Sequence, residues 1–333
     1  MSNPPRQPIP PKPFSAPPRG LWRATPPAIF PPLLGLFGIG LAWRQATVVL
    51  GAPAFIGDMF LGAVSLLYLF AVFAYLAKVV RRLATLPEDL RILPGRAGLP
   101  AASAAGMLFA AVLVPYATMA AQSVLVLALC AHALIALLII RALLIGPVEQ
   151  RRVTPAWHLS FVGFIIAPLA AVPLGWVELS QVIFVTTLPV AVAVWIISAF
   201  QFSRADVPVP LRPLLAIHLA PVCLFGIVSA LLGYGALSIA FGGLGIIVMA
   251  VMLMAVRYLT AGDFSALWGA FTFPMAAFAN LMFAAAFYKV TPFAVLGGIE
   301  LALATLAVCV IAFRVMKLWA NGKLAKSTNA STV

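Results

Sequence analysis

The chain reads as an all-α integral membrane protein, with ten transmembrane helices paired as five hairpins, odd-numbered helices inside and even-numbered helices outside. Three observations predict this: an apolar composition, ten apolar runs of spanning length, and basic residues that fall on one side of those runs. Of the 333 residues, 64% belong to the set AVILMFWYC and 9% are charged. Mean hydropathy is +1.10. A soluble domain averages about 45–50% apolar and roughly 25% charged residues, so this chain has too few polar side chains to cover a water-facing surface. The net charge is +13, from 21 Lys+Arg against 8 Asp+Glu. On a soluble protein that excess would mark a nucleic-acid binder. Here it is a question of which side of a bilayer the charges occupy, and the expected partner is lipid rather than nucleic acid.

Residues 1–27 are Pro-rich and basic. Proline at this density withholds helix hydrogen bonds, so a disordered tail is expected. It lacks the apolar core and small-residue cleavage site of a signal peptide. The membrane domain follows over 28–316, and 317–333 is expected to be a short polar tail. A bilayer core of about 30 Å needs about 20 apolar helical residues. Such runs lie at about 28–43, 55–77, 99–118, 120–143, 156–174, 178–200, 212–232, 235–257, 267–288 and 292–315. Between the second and third, Glu88 and Asp89 follow a proline in RRLATLPEDLRILPGRAG. This loop predicts a short interfacial helix with Arg91 and Arg96 facing phosphates.

The charges test the count. With the N-terminus inside, 19 of the 21 Lys and Arg residues fall in inside segments, and only Arg44 and Lys289 fall outside. Removing one helix would reverse every later assignment and destroy the asymmetry. Ten spans with both ends cytoplasmic therefore follow from the positive-inside rule.

Proline separates the spans into two classes. The odd ones carry Pro31 and Pro32, Pro115, Pro168 and Pro173, Pro221, and Pro274 internally; among the even ones only the sixth has an internal proline, Pro189. A proline removes a helix hydrogen bond and kinks the helix, and in lipid the freed groups need partners in protein or water. Helices broken in this way are expected inside, around a cavity. Gly35 and Gly163 add small residues on the first and fifth, which let backbones pack closely or widen a lumen.

Few polar groups punctuate the spans. Cys130, Cys223 and Cys309 lie in apolar runs without metal-ligand spacing and read as packed thiols. Glu300 is the one carboxylate well inside a span, a candidate proton carrier, with pairing to Lys289 or Asn280, or a place at a subunit contact, as the structural alternatives. His158 and His218 stand at or before the broken fifth and seventh helices, where they would face a vestibule or be satisfied in the bundle. His132, in the fourth span, is expected to be hydrogen-bonded in the bundle. Neither a metal site nor a cofactor-binding loop appears, so no cofactor is expected and the chain does not read as an enzyme.

The ninth span reads LWGAFTFPMAAFANLMFAA over 267–285. Its Trp-x-x-Phe-Thr-Phe-Pro string resembles the signature of the tellurite-resistance/dicarboxylate transporter (TDT) family, which includes bacterial TehA-type proteins and the slow anion channels of plant guard cells. Two further stretches are similar to bacterial members: PPAIFPPLLGLFGIGLAWR over 26–44 and RPLLAIHLAPVCLFG over 212–226. The resemblance implies five hairpins around a central pore, a homotrimer with one pore per subunit, and a pore gate at the Phe before the ninth-helix Pro, here Phe273. Phe271 and Thr272 beside it, with Gly35, Gly163, His158 and His218, are the further candidates for the pore or its vestibule. The implied activity is passive passage of small monovalent anions across a bacterial inner membrane. The alternative is a secondary transporter of C4-dicarboxylates or tellurium oxyanions, coupled to protons through Glu300. No Lys or Arg falls in the middle of a span, which a path for rapidly leaving anions tolerates, since conduction needs weak, multiple sites.

Overall fold

The computed structural model describes residues 20–289 and 291–333. The stretch 1–19, most of the expected disordered tail, lies outside the described residues. Among those described, every regular element is helical.

Four of the inner spans do not begin as α-helix. A 3-10 turn over Pro27–Ile29 leads into α1 (Phe30–Leu50). A π turn over His158–Val162 and a 3-10 turn over Gly163–Ile166 lead into a short helix at Pro168–Ala171. A ten-residue 3-10 stretch, Val209–His218, leads into a helix at Leu219–Leu231, and Ala266–Phe271 leads into one at Thr272–Ala286. In each case the proline stands in the first turn of the α-helix. There its missing N–H is one that would have no helical partner anyway. The carbonyls upstream are taken by i→i+3 bonds, such as Phe30 N–H to the Pro27 oxygen and Ala167 N–H to the Phe164 oxygen at 2.9 Å. The prolines therefore mark where a tighter winding changes to α, and Pro31, Pro32, Pro168, Pro221 and Pro274 do not kink a continuous helix.

The third span differs from its expected frame. After α2 (Ala54–Arg81) and the short α3 (Thr85–Leu90), α4 runs over Leu93–Leu113, about six residues earlier than its sequence position suggests. Pro115 consequently lies in the turn after α4, and the proline inside the helix is Pro100. Arg96 made this stretch look like loop. Its guanidinium is instead turned inward, onto the Leu90 and Arg91 carbonyls at 3.3 and 3.0 Å and the Gln150 side chain at 3.3 Å. It does not face phosphates as expected.

The remaining spans are α5 (Thr118–Ile145), α6 (Pro168–Ala171, with its π and 3-10 lead), α7 (Val177–Arg204), α8 (Leu219–Leu231), α9 (Gly235–Met254), α11 (Thr272–Ala286) and α12 (Thr291–Ala320), with α10 (Val256–Leu259) a single turn after α9. Five tight turns join each odd span to the next: 51–53, 114–117, 172–176, 232–234 and one that begins at 287–289. Three of them use a glycine at positive φ, Gly51 at 70°, Gly175 at 82° and Gly233 at 81°. Left-handed backbone closes a helix end cheaply only at glycine.

The inner spans close into a ring. α1 packs on α4, α4 on the broken 158–171 segment, that segment on α8, α8 on α11, and α11 back on α1. Each even helix lies in a groove between two inner neighbours: α2 on α1 and α4, α9 on α8 and α11, α12 on α11 and α1. Burial follows the same division. Between 56 and 78% of the apolar window is buried in α1, α4, α8 and α11, against 17 to 33% in the five even helices. Among the described residues, nine helices are long and apolar enough to cross a membrane, and the tenth span is the shorter His158–Ala171.

The end of the chain is also docked. A short helix, α13 (Lys323–Ser327), follows α12. Beyond it the Ser331 N–H reaches Asp89 at 2.8 Å and the Val333 N–H reaches the Arg23 carbonyl at 3.0 Å. The expected tail 317–333 thus begins as the end of α12 and then packs against α2, α3 and the stretch before α1.

Candidate functional site: the axis of the inner ring

All five inner segments meet at one small cavity of about 20 Å³, on the side where most Lys and Arg residues lie. Ala28, Ala97, Leu159, Ile217 and Ala270 each contribute from a different segment. A second cavity of similar size is lined by His158, Gly163, Pro221, Leu224 and Phe273, and shares Leu159 and Ile217 with the first. Each has room for about one water. No Lys, Arg, Asp or Glu lines either.

Phe273 is the second residue of α11, only 6% exposed, with its ring forming part of the second cavity. Its position is set by the chain on both sides. Pro274 falls in the first turn of α11, and the residue facing the ring from α1 is Gly38, where a Cβ would lie 3.4 Å from the Phe273 ring. Thr272 lines neither cavity. Its hydroxyl donates to the Pro31 carbonyl at 3.0 Å and to the Gly269 carbonyl at 2.7 Å. Phe271 packs edge-on against Trp268, 5.8 Å between ring centres, and lines neither cavity. Gly35 is a close approach of α1 to α11, since a Cβ there would lie 2.8 Å from the Thr272 backbone carbon. Gly163 borders the second cavity and its open side meets the His132 ring.

His158 and His218 come together: Nε2 of the first lies 3.0 Å from Nδ1 of the second. Trp195 of α7 braces the pair. Its ring lies 5.4 Å from that of His158, and its Nε1–H donates to the His218 carbonyl at 3.2 Å. His158 is buried and its Nδ1 has no partner among the described residues. His132 is tied to Ser103, with Nδ1 at 2.8 Å from the hydroxyl. Glu300 stands apart from both cavities. It pairs with neither expected partner: Asn280 donates to the Gly38 and Ala276 carbonyls, and no ion pair joins Glu300 to Lys289 among the described residues.

Residues 24–316 match the family described as voltage-dependent anion channel, SLAC1. The chain belongs to the SLAC1 family. No curated protein sequence matches it. This is the TDT family that the ninth-span string resembles, and its members are anion channels and transporters rather than enzymes. In this SLAC1-family chain the apolar cavity residues Leu159, Ile217 and Leu224 carry no chemical signal in the sequence, because an inward Leu or Ile is indistinguishable there from a lipid-facing one. The contact of His158 with His218, 60 residues apart, was equally invisible.

Proposed function

We propose that the chain is a gated channel for small monovalent anions, with a path along the axis of the inner ring held shut by Phe273. One observation carries the reading: five segments remote in sequence converge on one uncharged cavity, and Phe273 lines a second uncharged cavity that adjoins it. An anion moving there meets no fixed cation that would hold it, and conduction favours weak, multiple sites. α8 and α11 begin beside the second cavity, and helix N-termini carry partial positive charge. Glu300 lies off this path, which favours passive flow over proton coupling. The 19-to-2 placement of basic residues supports an inner-membrane orientation with both ends cytoplasmic, and it raises anion concentration at the inner mouth.

Single-channel recording in planar bilayers tests the gate. Phe273→Ala is expected to conduct chloride and nitrate at voltages where the unaltered protein is silent, at least tenfold above its current. A silent Phe273→Ala protein that elutes and melts like the parent would sink the gate assignment. A current that reverses at the cation potential would sink the anion assignment.

A further inference from the structure

A groove of about 550 Å³ lies between α3 and the end of α5, far from the axis. Its walls are Leu86, Pro87, Leu90, Leu138, Ala142 and Ile145, and its rim carries Arg91 and Arg141. The neighbouring arginines are all engaged. Arg82 forms a two-pronged contact with Glu88 at 2.7 and 2.6 Å. Arg96 is turned inward, as described above. Arg151 caps the end of α5 through the Leu143, Leu144 and Gly146 carbonyls. Arg91 and Arg141 are both exposed, and neither side chain makes a hydrogen bond or ion pair among the described residues.

Two free guanidinium groups above an apolar trough, where a spanning helix leaves the bilayer, match one kind of ligand. We infer that this groove binds an anionic phospholipid, its phosphate held by Arg91 and Arg141 and an acyl chain laid along Leu86, Leu90, Leu138 and Ile145. Guanidinium groups bind phosphate oxygens in pairs, and basic pockets between membrane helices recognise lipid headgroups. A soluble anion would use the arginines but leave the trough uncovered. A zwitterionic lipid would fill the trough but set its own cation against the arginines. The occupant that satisfies both parts is an anionic lipid.

Native mass spectrometry on the delipidated full chain, titrated with phosphatidylglycerol or phosphatidylcholine, tests this. The parent is expected to retain phosphatidylglycerol roughly thirtyfold more tightly. At about 1 kcal/mol per arginine near a membrane surface, Arg91→Gln or Arg141→Gln alone loses roughly fivefold of that preference and both together roughly thirtyfold. Arg91→Lys with Arg141→Lys keeps most of it, which separates loss of charge from misfolding. Arg204→Gln, an exposed control outside the groove, leaves it unchanged. Equal binding of the two lipids would overturn the inference, as would a double Gln variant that still prefers phosphatidylglycerol. Displacement of phosphatidylglycerol by millimolar inorganic phosphate would reassign the groove to soluble anions.

Discussion

The docked end of the chain rests on one buried ion pair, and Asp89→Asn tests how much. The Lys78 and Asp89 side chains are both fully buried, with Nζ 2.7 Å from Oδ2. Asp89 also accepts from the Tyr75 hydroxyl at 3.0 Å and the Ser331 N–H at 2.8 Å. Lys78 donates a second bond, to the Ser331 carbonyl at 3.3 Å. Asparagine keeps the shape of aspartate but not its charge, so Lys78 is left as an uncompensated buried cation. Breaking a buried pair in this way costs about 3–5 kcal/mol. An amide in place of the carboxylate also fails one of the three donors, adding about 1–3 kcal/mol if that donor finds no water. Lys78→Met combined with Asp89→Asn removes both charges and is expected to be less destabilised than Asp89→Asn alone. The assay is a double-mutant cycle from reversible unfolding in one detergent, with amide exchange followed at residues 328–333. Exchange at the Ser331 amide is expected to quicken in Asp89→Asn. The reasoning fails if Asp89→Asn lies within about 1 kcal/mol of the parent, or if the double variant is no better than Asp89→Asn.

Two further outcomes follow from local geometry. Gly35→Ala would place a Cβ 2.8 Å from the Thr272 backbone carbon, so α1 and α11 must part. Overpacking of this kind costs about 1–3 kcal/mol, and an unchanged melting temperature would contradict the close approach. In the loop after α7, Asp206 accepts from the Tyr258 hydroxyl and pairs with Arg212 at 2.8 Å. The Tyr258 bond, then the Arg212 charge, hold its carboxyl below the ordinary value of 3.8. A lowered carboxyl stabilises the fold at pH above 3.8, and that contribution fades as pH falls through the lowered value. Tyr258→Phe removes the larger cause, so the carbon-13 titration midpoint of Asp206 is expected to rise toward 3.8; an unmoved midpoint would refute the assignment.

Much of the fold was legible because lipid imposes simple rules. A span needs a minimum apolar length, and loops sort by basic residues, so the ten spans follow from the sequence alone. The inner and outer classes were legible through proline, which the even helices largely lack. The third span was misframed for a definite reason. Whether Arg96 belongs to loop or helix depends on acceptors at Leu90, Arg91 and Gln150, and apolar length does not report these. The prolines were read as kinks because the sequence does not say that a 3-10 turn precedes them.

What the sequence determined by itself was one-dimensional: how many helices there are, which of them are broken by proline, and the string that resembles the family's signature. Tertiary structure decided which residues share a space. It set His158 against His218, bound the Thr272 hydroxyl to the Pro31 carbonyl, placed Phe273 at the cavity wall, and brought Ser331 onto Asp89, 242 residues away. The physical reason is that burial in lipid rewards an apolar residue on either side of a helix, so hydropathy cannot say which side faces a neighbour. Only the packing of ridges and glycines between helices breaks that degeneracy.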